Sequence, residues 1–301
     1  MQQARHYQKS KQERKDLQKS HDFEVIAILQ RAKELLSDSG IQQPLFEAEL
    51  VLSHLLNVER HNLYIGQLHI SKETKYKFFY LIARRANRIP LAYLLKKIYF
   101  YGLEFHISKG VFIPRPETES IIVCATQLIK DKSKKVNILD ICTGCGVLAI
   151  CLAKVFPFSK VIATDISKKA VNIARKNVFS HKLQSRVKVL GADIVPKNLC
   201  KKFSLIVSNP PYLTADEIEQ ADEEVKKEPI CSLYGGENGM RVIDKILQMA
   251  PDFLERDGFL IMEVSPSQIQ YFRELKNTKL SLISIYNDIC GTERFVVLHK
   301  V

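Results

Sequence analysis

No stretch of this 301-residue chain approaches the roughly 18 continuous apolar residues of a membrane-spanning helix. The first twenty residues are polar and lack the apolar segment of a secretory signal. The seven cysteines are scattered and odd in number, and without a secretory signal they read as reduced thiols of a cytosolic protein. No Gly-Lys-Ser/Thr follows the glycine-rich turn at Asp140 to Gly146, so a P-loop is excluded. The full G-x-G-x-x-G of a dinucleotide site is missing too, because Cys142 stands at its first glycine position. Cys142 and Cys145 form a C-x-x-C with no second pair and no suitable histidines nearby in sequence. They read as small packing residues, and no metal site is expected.

Acidic residues are the scarcer charge, 33 against 45 lysines and arginines, for a net +12. About a third of that excess lies in residues 1–20, where Arg5, Lys9, Lys11, Arg14, Lys15 and Lys19 face only Glu13 and Asp16. Residues 1–22 hold too few apolar side chains to bury and read as a flexible basic arm. A basic surface favours an acidic protein or a nucleic acid as partner. The whole chain is 46% hydrophobic and 26% charged, which suits a sizeable core in two domains or one large one.

From Phe23 to about Ala86 the pattern is helical. Val25-Ile26, Leu29, Ala32 and Leu35-Leu36 recur at helical spacing until Ser37-Asp38-Ser39-Gly40, and Phe46, Leu50-Val51 and His54-Leu55 repeat it. Ser71 is a candidate N-cap for a helix over 72–85 that carries Phe78, Phe79, Leu81 and Ile82. Residues 23–89 thus form a small all-α domain, either a substrate-recognition module or a stabilising cap. Residues 90–117 change character. Tyr99 to Phe105 and Val111 to Ile113 are β-prone around Ser108-Lys109-Gly110, which predicts a β-hairpin linker with its turn at that Gly. A helix is expected over about 118–130. From Val136 strands at 136–141, 161–164, 187–190, 204–207 and 258–264 alternate with helices at 147–155, 168–177, 240–254 and 268–275. Strands at 280–286 and 294–298 close the chain with no helix between them, and so pair antiparallel. The expected fold of 118–301 is α/β: a doubly wound, mainly parallel seven-stranded sheet.

Two constellations carry chemistry. In the strand-to-helix turn at 140–146, Gly144 lets backbone approach a ligand and Gly146 lets the helix pack on the sheet. Asp165 follows Gly146 by 19 residues at the end of the next strand, the spacing of an acid that binds ribose hydroxyls. Asp193 and Ile194 end the third strand, where an acid could meet an adenine amino group and an apolar side chain could cover the ring. The second constellation is Ser208-Asn209-Pro210-Pro211-Tyr212 after the apolar run 203–207. The two prolines end the strand and stiffen the chain where Asn209 projects. Asn209 offers an acceptor and a donor, Pro210 a backbone carbonyl and Tyr212 a flat wall.

The Asp140 turn, Asp165 and Asn209-Pro210-Pro211-Tyr212, in this order, resemble the class I S-adenosylmethionine-dependent methyltransferases, a Rossmann-like family. Pro90 to Leu94, Ile113-Pro114-Arg115-Pro116-Glu117-Thr118-Glu119, Glu228-Pro229 and Leu233-Tyr234-Gly235-Gly236-Glu237-Asn238-Gly239 resemble the protein-(glutamine-N5) methyltransferases of peptide chain release factors. Phe46-Glu47-Ala48-Glu49-Leu50 is similar to a helix of that family's N-terminal domain. The likeness spans about 23–301. It departs at Cys142 and at Ser265, where the family often has glycine.

The resemblance implies S-adenosyl-L-methionine as cofactor, with Cys142, Thr143, Gly144, Cys145 and Gly146 holding its methionine part. Asp165 would hold the ribose, Asp193 and Ile194 the adenine, and Asn209 would lie beside the methyl. It further implies that Asn209, Pro210, Pro211 and Tyr212 hold the substrate glutamine, with Asn209, Pro210 and Tyr212 as the catalytic set. The expected partner is a release factor carrying a Gly-Gly-Gln motif, with no membrane and no direct nucleic acid required, and with the enzyme a cytoplasmic monomer. Three alternatives stand beside this reading: a glutamine methyltransferase of a ribosomal protein, an adenine-N6 methyltransferase of nucleic acid, and a non-catalytic protein that kept the fold.

Overall fold

The computed structural model describes residues 24–65, 68–276 and 279–301, so the expected basic arm over 1–22 lies outside the described residues. The chain divides into two units, one up to Leu95 and the other from Lys96.

In the first unit α1 covers 24–38, followed by α2 (Pro44–Leu56), α3 (Asn62–Ile65), α4 (Lys72–Ala86) and α5 (Leu91–Leu95). The buried stripe of α1 is Val25, Ile28, Leu29, Ala32 and Leu36, while Ile26 and Leu35 are exposed, because only the former set shares one helical face. Gly40, at φ +73, ends that helix as read from the sequence. Ser71 caps α4 by accepting from the Thr74 N–H at 3.0 Å. Phe78 and Ile82 of α4 meet Ala48, Val51 and Leu52 of α2 in one apolar cluster. Glu47 and Glu49 do not face water: Glu47 pairs with Arg85, and Glu49 accepts from the Tyr64 hydroxyl.

The second unit opens with a hairpin of β1 (Lys97–Phe100) and β2 (Leu103–His106). This corrects the sequence reading, which put the turn at Ser108-Lys109-Gly110. The turn is at Tyr101-Gly102, whose φ of 49° and 71° make the left-handed pair that a two-residue hairpin needs. Val111 to Ile113 forms no strand, because the Ile113 N–H is taken by the Glu228 carboxylate at 2.9 Å. The hairpin is stitched to the sheet unit by buried Asn177, which exchanges two hydrogen bonds with the His106 backbone and donates a third to the Cys145 carbonyl. A 3-10 turn over Pro116–Glu119 precedes α6 (Ser120–Leu128), where one longer helix was expected.

Next come β3 (Asn137–Ile141), α7 (Val147–Val155), β4 (Lys160–Asp165), α8 (Lys168–Ser180), β5 (Val187–Gly191) and β6 (Phe203–Ser208). They are followed by α9 (Ala215–Gln220), α10 (Arg241–Phe253), β7 (Leu254–Glu263), α11 (Ile269–Arg273), β8 (Leu280–Asn287) and β9 (Glu293–Lys300). Among the described residues the sheet has seven strands in the order β5-β4-β3-β6-β7-β9-β8, with β9 antiparallel to both neighbours and the other pairs parallel. Leu139 and Ile141 of β3 point to one face and join Ile206, Leu260, Met262 and the apolar side of α10 and α11. Asp140 points to the other, where it accepts from the Ala149 N–H of α7. Helices on both faces of a mostly parallel sheet make the doubly wound architecture expected from the sequence.

Strand order reverses at β3, which pairs with β4 on one side and β6 on the other. Such a reversal splays the loops leaving the carboxyl ends of the strands and opens a crevice there. The register brings those ends level: Ile141 is paired with Thr164 and with Ser208, and Asp165 with Gly191. Four turns separated in sequence therefore leave one edge of the sheet together.

Candidate functional site

A cavity of about 320 Å³ lies at that edge, in the size range of small-molecule sites. Each of the four strand ends contributes: Cys142 and Gly144 after β3, Asp165 and Ile166 after β4, Asp193 and Ile194 after β5, Asn209 and Pro211 after β6. The segment Gly110 to Phe112 and the stretch from Pro229 to Ser232 also line it, with Arg241, Val242 and Lys245 of α10. Several of these were not singled out from the sequence. Ile166 and Phe112 carry no chemical group that marks a site, and the lining role of α10 depends on how it packs over the sheet.

The turn after β3 folds as its glycines require. Cys142, Gly144 and Gly146 have φ of 59°, 56° and 88°. A Cβ on Gly144 would meet no atom within 4 Å, because that position faces the open cavity. A Cβ on Gly146 would lie 3.2 Å from the Ala174 Cβ. Gly146 thus makes room for α8 against α7, where the sequence reading gave it to helix–sheet packing. Thr143 and Cys145 lie away from the main cavity. The Thr143 hydroxyl donates to Asp140. Cys145 is fully buried, and burial pushes its thiol up to about 12 and that of Cys142 higher still, so both remain protonated. Asp140 is wholly buried with one carboxylate oxygen unpartnered, and burial lifts its pKa to about 7.

Asp165 accepts from the Gly144 N–H at 2.9 Å through one oxygen and from the Ser167 N–H at 2.8 Å through the other. Burial raises its pKa, and those two N–H groups oppose the rise. Each oxygen keeps a second lone pair, so the carboxylate both shapes the turn and retains acceptors for a ligand. Asp193 pairs with Lys245 at 2.8 Å on the rim. Ile194 has φ 66°, a rare conformation for a β-branched residue, and its carbonyl is held by the Thr164 hydroxyl at 2.6 Å. A spacious glycine turn, an acid with spare lone pairs and apolar Ile166 and Ile194 together suit a nucleoside-like group.

Asn209 is half-buried and borders both this cavity and a small hollow under Phe112, Pro114 and Thr118. Its Nδ2 donates to the Thr118 hydroxyl at 3.1 Å. Pro210 is buried and does not line the cavity. Tyr212, expected as a flat wall for the substrate, packs its ring against the core beside α10 instead. Its hydroxyl donates to buried Glu263 at 3.0 Å, and burial next to that acid holds its pKa well above the usual phenol value. Glu263 accepts from the Thr118 hydroxyl at 2.6 Å through its other oxygen.

A second buried acid, Glu228, pairs with Arg115 and accepts from the Ile113 N–H, tying the segment before α6 to the stretch before α10. Burial raises its pKa and the Arg115 guanidinium pulls it back. Gly235 and Gly239 let that same stretch close on the proline turn. A Cβ on Gly239 would fall 2.2 Å from the Tyr212 carbonyl oxygen, and one on Gly235 2.7 Å from that of Pro211.

The family described as Methyltransferase small domain matches residues 103–299, and that described as PrmC N-terminal domain matches 27–95. A release factor glutamine methyltransferase of Clostridium botulinum is 34% identical over 271 residues, 88% of this chain and 95% of its own. One from Thermodesulfovibrio yellowstonii is 32% identical over 257 residues, 84% and 92% of the two chains. Among solved structures, a methyltransferase from Pyrococcus furiosus aligns over 76% of this chain and 98% of its own, at 20% identity and a TM-score of 0.49.

Proposed function

The chain belongs to the release factor glutamine methyltransferases, and from that premise we propose that it moves a methyl group from S-adenosyl-L-methionine to the side-chain amide nitrogen of the glutamine in a release factor's Gly-Gly-Gln motif. The observation that carries the proposal is Asn209. Its Nδ2 is engaged inward, which leaves Oδ1 as the acceptor offered at the cavity lip.

S-adenosylmethionine supplies, when bound, an electrophilic methyl on a sulfonium. The residues present fit it: Asp165 would hold the ribose hydroxyls, Asp193 and Ile194 the adenine, and the open backbone at Cys142 to Gly144 the methionine part. An amide nitrogen is a poor nucleophile because its lone pair is delocalised into the carbonyl. Removing a proton first is unnecessary against a sulfonium, and the amide loses its proton to solvent after the methyl has left sulfur. What helps is an acceptor that holds the amide hydrogens so that the lone pair turns toward the methyl. Asn209 Oδ1 is suited to that task, on a turn that two prolines keep stiff. The helical first unit, which has no catalytic constellation of its own, is assigned recognition of the protein substrate. Its exposed Tyr76 and Tyr80 on α4 support that assignment.

The test is single-turnover transfer from labelled S-adenosylmethionine to release factor, with ribosomal protein and DNA as competing acceptors. Wild type should label the release factor. Asn209→Ala should slow transfer by on the order of 10²-fold with cofactor affinity nearly unchanged. Label on DNA instead, or wild-type speed in the variant, would refute the proposal.

A further inference from the structure

Asn209 could present either end of its amide to the cavity, and only one end is useful as an acceptor. The structure contains a device that chooses between them. Ser208 is paired with Met262 across β6 and β7, so the next residues on the two strands, Asn209 and Glu263, leave the sheet side by side. Thr118 comes from the 3-10 turn over Pro116–Glu119 and stands between them. Glu263 is 1% exposed and as a carboxylate has only lone pairs to offer. One of its oxygens receives the Tyr212 hydroxyl at 3.0 Å, the other the Thr118 hydroxyl at 2.6 Å.

A threonine hydroxyl has one proton. With that proton committed to Glu263, the Thr118 oxygen can only accept, and the group it accepts from is the Asn209 Nδ2 at 3.1 Å. The flipped amide would set Oδ1 against the Thr118 lone pairs in a buried spot, losing one bond and adding a repulsion. We infer that Thr118 and Glu263 are positioning residues, which act through one directional hydrogen-bond chain to fix the Asn209 carbonyl toward the substrate.

Burial raises the pKa of Glu263, and the two hydroxyls and a neighbouring cation oppose the rise. Arg294 from β9 stands beside Glu263 and Tyr212, and it works with the two hydroxyls against the burial and the Glu117 charge that favour the neutral form. Asn209→Asp has a clear defect on this account. It would place an anionic oxygen against the Thr118 oxygen, which has no proton left to give.

This inference rests on the role proposed for Asn209, and the experiment keeps the two apart. Single-turnover transfer to release factor is measured for wild type, Thr118→Val, Thr118→Ser, Asn209→Ala and the Thr118→Val/Asn209→Ala double variant, with cofactor affinity by calorimetry. Thr118→Val should slow transfer about tenfold or more while cofactor affinity stays within about twofold. Thr118→Ser, which keeps the hydroxyl, should restore most of the rate. In the Asn209→Ala background Thr118→Val should cost nothing further, because no amide is left to orient. A general structural role would slow that background too. Should Thr118→Val not fold, Thr118→Ala removes the same hydroxyl and supplies the same readout. Wild-type transfer by Thr118→Val or Thr118→Ala, or losses that multiply with Asn209→Ala, would overturn the inference while leaving the role of Asn209 intact. Wild-type transfer by Asn209→Ala would overturn both.

Discussion

Gly239→Ala is a one-carbon change outside the cavity that should damage the fold and the chemistry together. The new Cβ would sit 2.2 Å from the Tyr212 carbonyl oxygen and 2.5 Å from the Gln268 Nε2. Ordinary carbon contacts begin near 3.5 Å, so the proline turn and its partner must separate by on the order of 1 Å. The backbone at φ +71° adds about 1–2 kcal/mol for a residue with a Cβ. Gln268 also donates to the same Tyr212 carbonyl at 3.3 Å, and losing that bond costs about 1 kcal/mol more. Overpacking among buried neighbours contributes roughly 1–3 kcal/mol. A loss of about 3–6 kcal/mol is a large share of the ~5–15 kcal/mol of a typical domain. Misplacing Asn209 and its neighbours by this much should lower turnover about 10²-fold even where the variant stays folded. Urea unfolding and single-turnover transfer measure the two effects. Gly144→Ala is the control, with φ +56° but no atom within 4 Å of its Cβ. It should lose only the ~1–2 kcal/mol of the backbone conformation and show its defect in cofactor affinity. If Gly239→Ala is no less stable than Gly144→Ala, the steric reasoning is wrong.

Asp165→Ala should weaken S-adenosylmethionine binding by roughly 1.5–3 kcal/mol, the scale of a hydrogen bond to a charged group. It should also lower the melting temperature, since Asp165 holds the Gly144 and Ser167 N–H groups; unchanged affinity by calorimetry would remove it from the site. Asp140 should give stability a pH signature. Its folded pKa of about 7 lies above the usual 3.8, so the native state holds a proton that the unfolded chain releases. That contribution is full below about pH 4 and is lost as pH rises toward 7, with a slope of up to about 1.4 kcal/mol per pH unit. Asp140→Asn removes the titration, so its unfolding profile should lose less stability than wild type between pH 4 and 7; parallel profiles would contradict the assignment.

The parallel strands were legible because each is a short apolar run bounded by turn residues, and the spacing from Gly146 to Asp165 reflects one helix and one strand of ordinary length. The hairpin was misplaced because β-propensity alone runs straight through Tyr101-Gly102. The sharp break there comes from two left-handed residues, and a tyrosine does not advertise one. Asn209 was legible because two prolines follow it. Thr118 was visible only as a member of a motif and Glu263 only as part of an expected strand, since their partnership joins positions 145 apart in sequence. The ion pair of Arg115 with Glu228 spans 113 residues in the same way. Tyr212 was read as a wall because an aromatic ring has a flat face, but its hydroxyl has a buried acid to satisfy, and that decides where the ring lies.

Cys142 and Ile194 face the cavity from turns that leave different strands, and both are held in the left-handed region without being glycine. Each conformation lies about 1–3 kcal/mol above the relaxed one and persists only because the surrounding sheet over-determines it. A loop free to choose would abandon it. The walls of the site are therefore shaped when the sheet folds, before any ligand arrives, and little backbone entropy remains to be lost on binding. Cofactor capture on such walls has the thermodynamics of docking into a finished mould rather than of a loop closing round its guest.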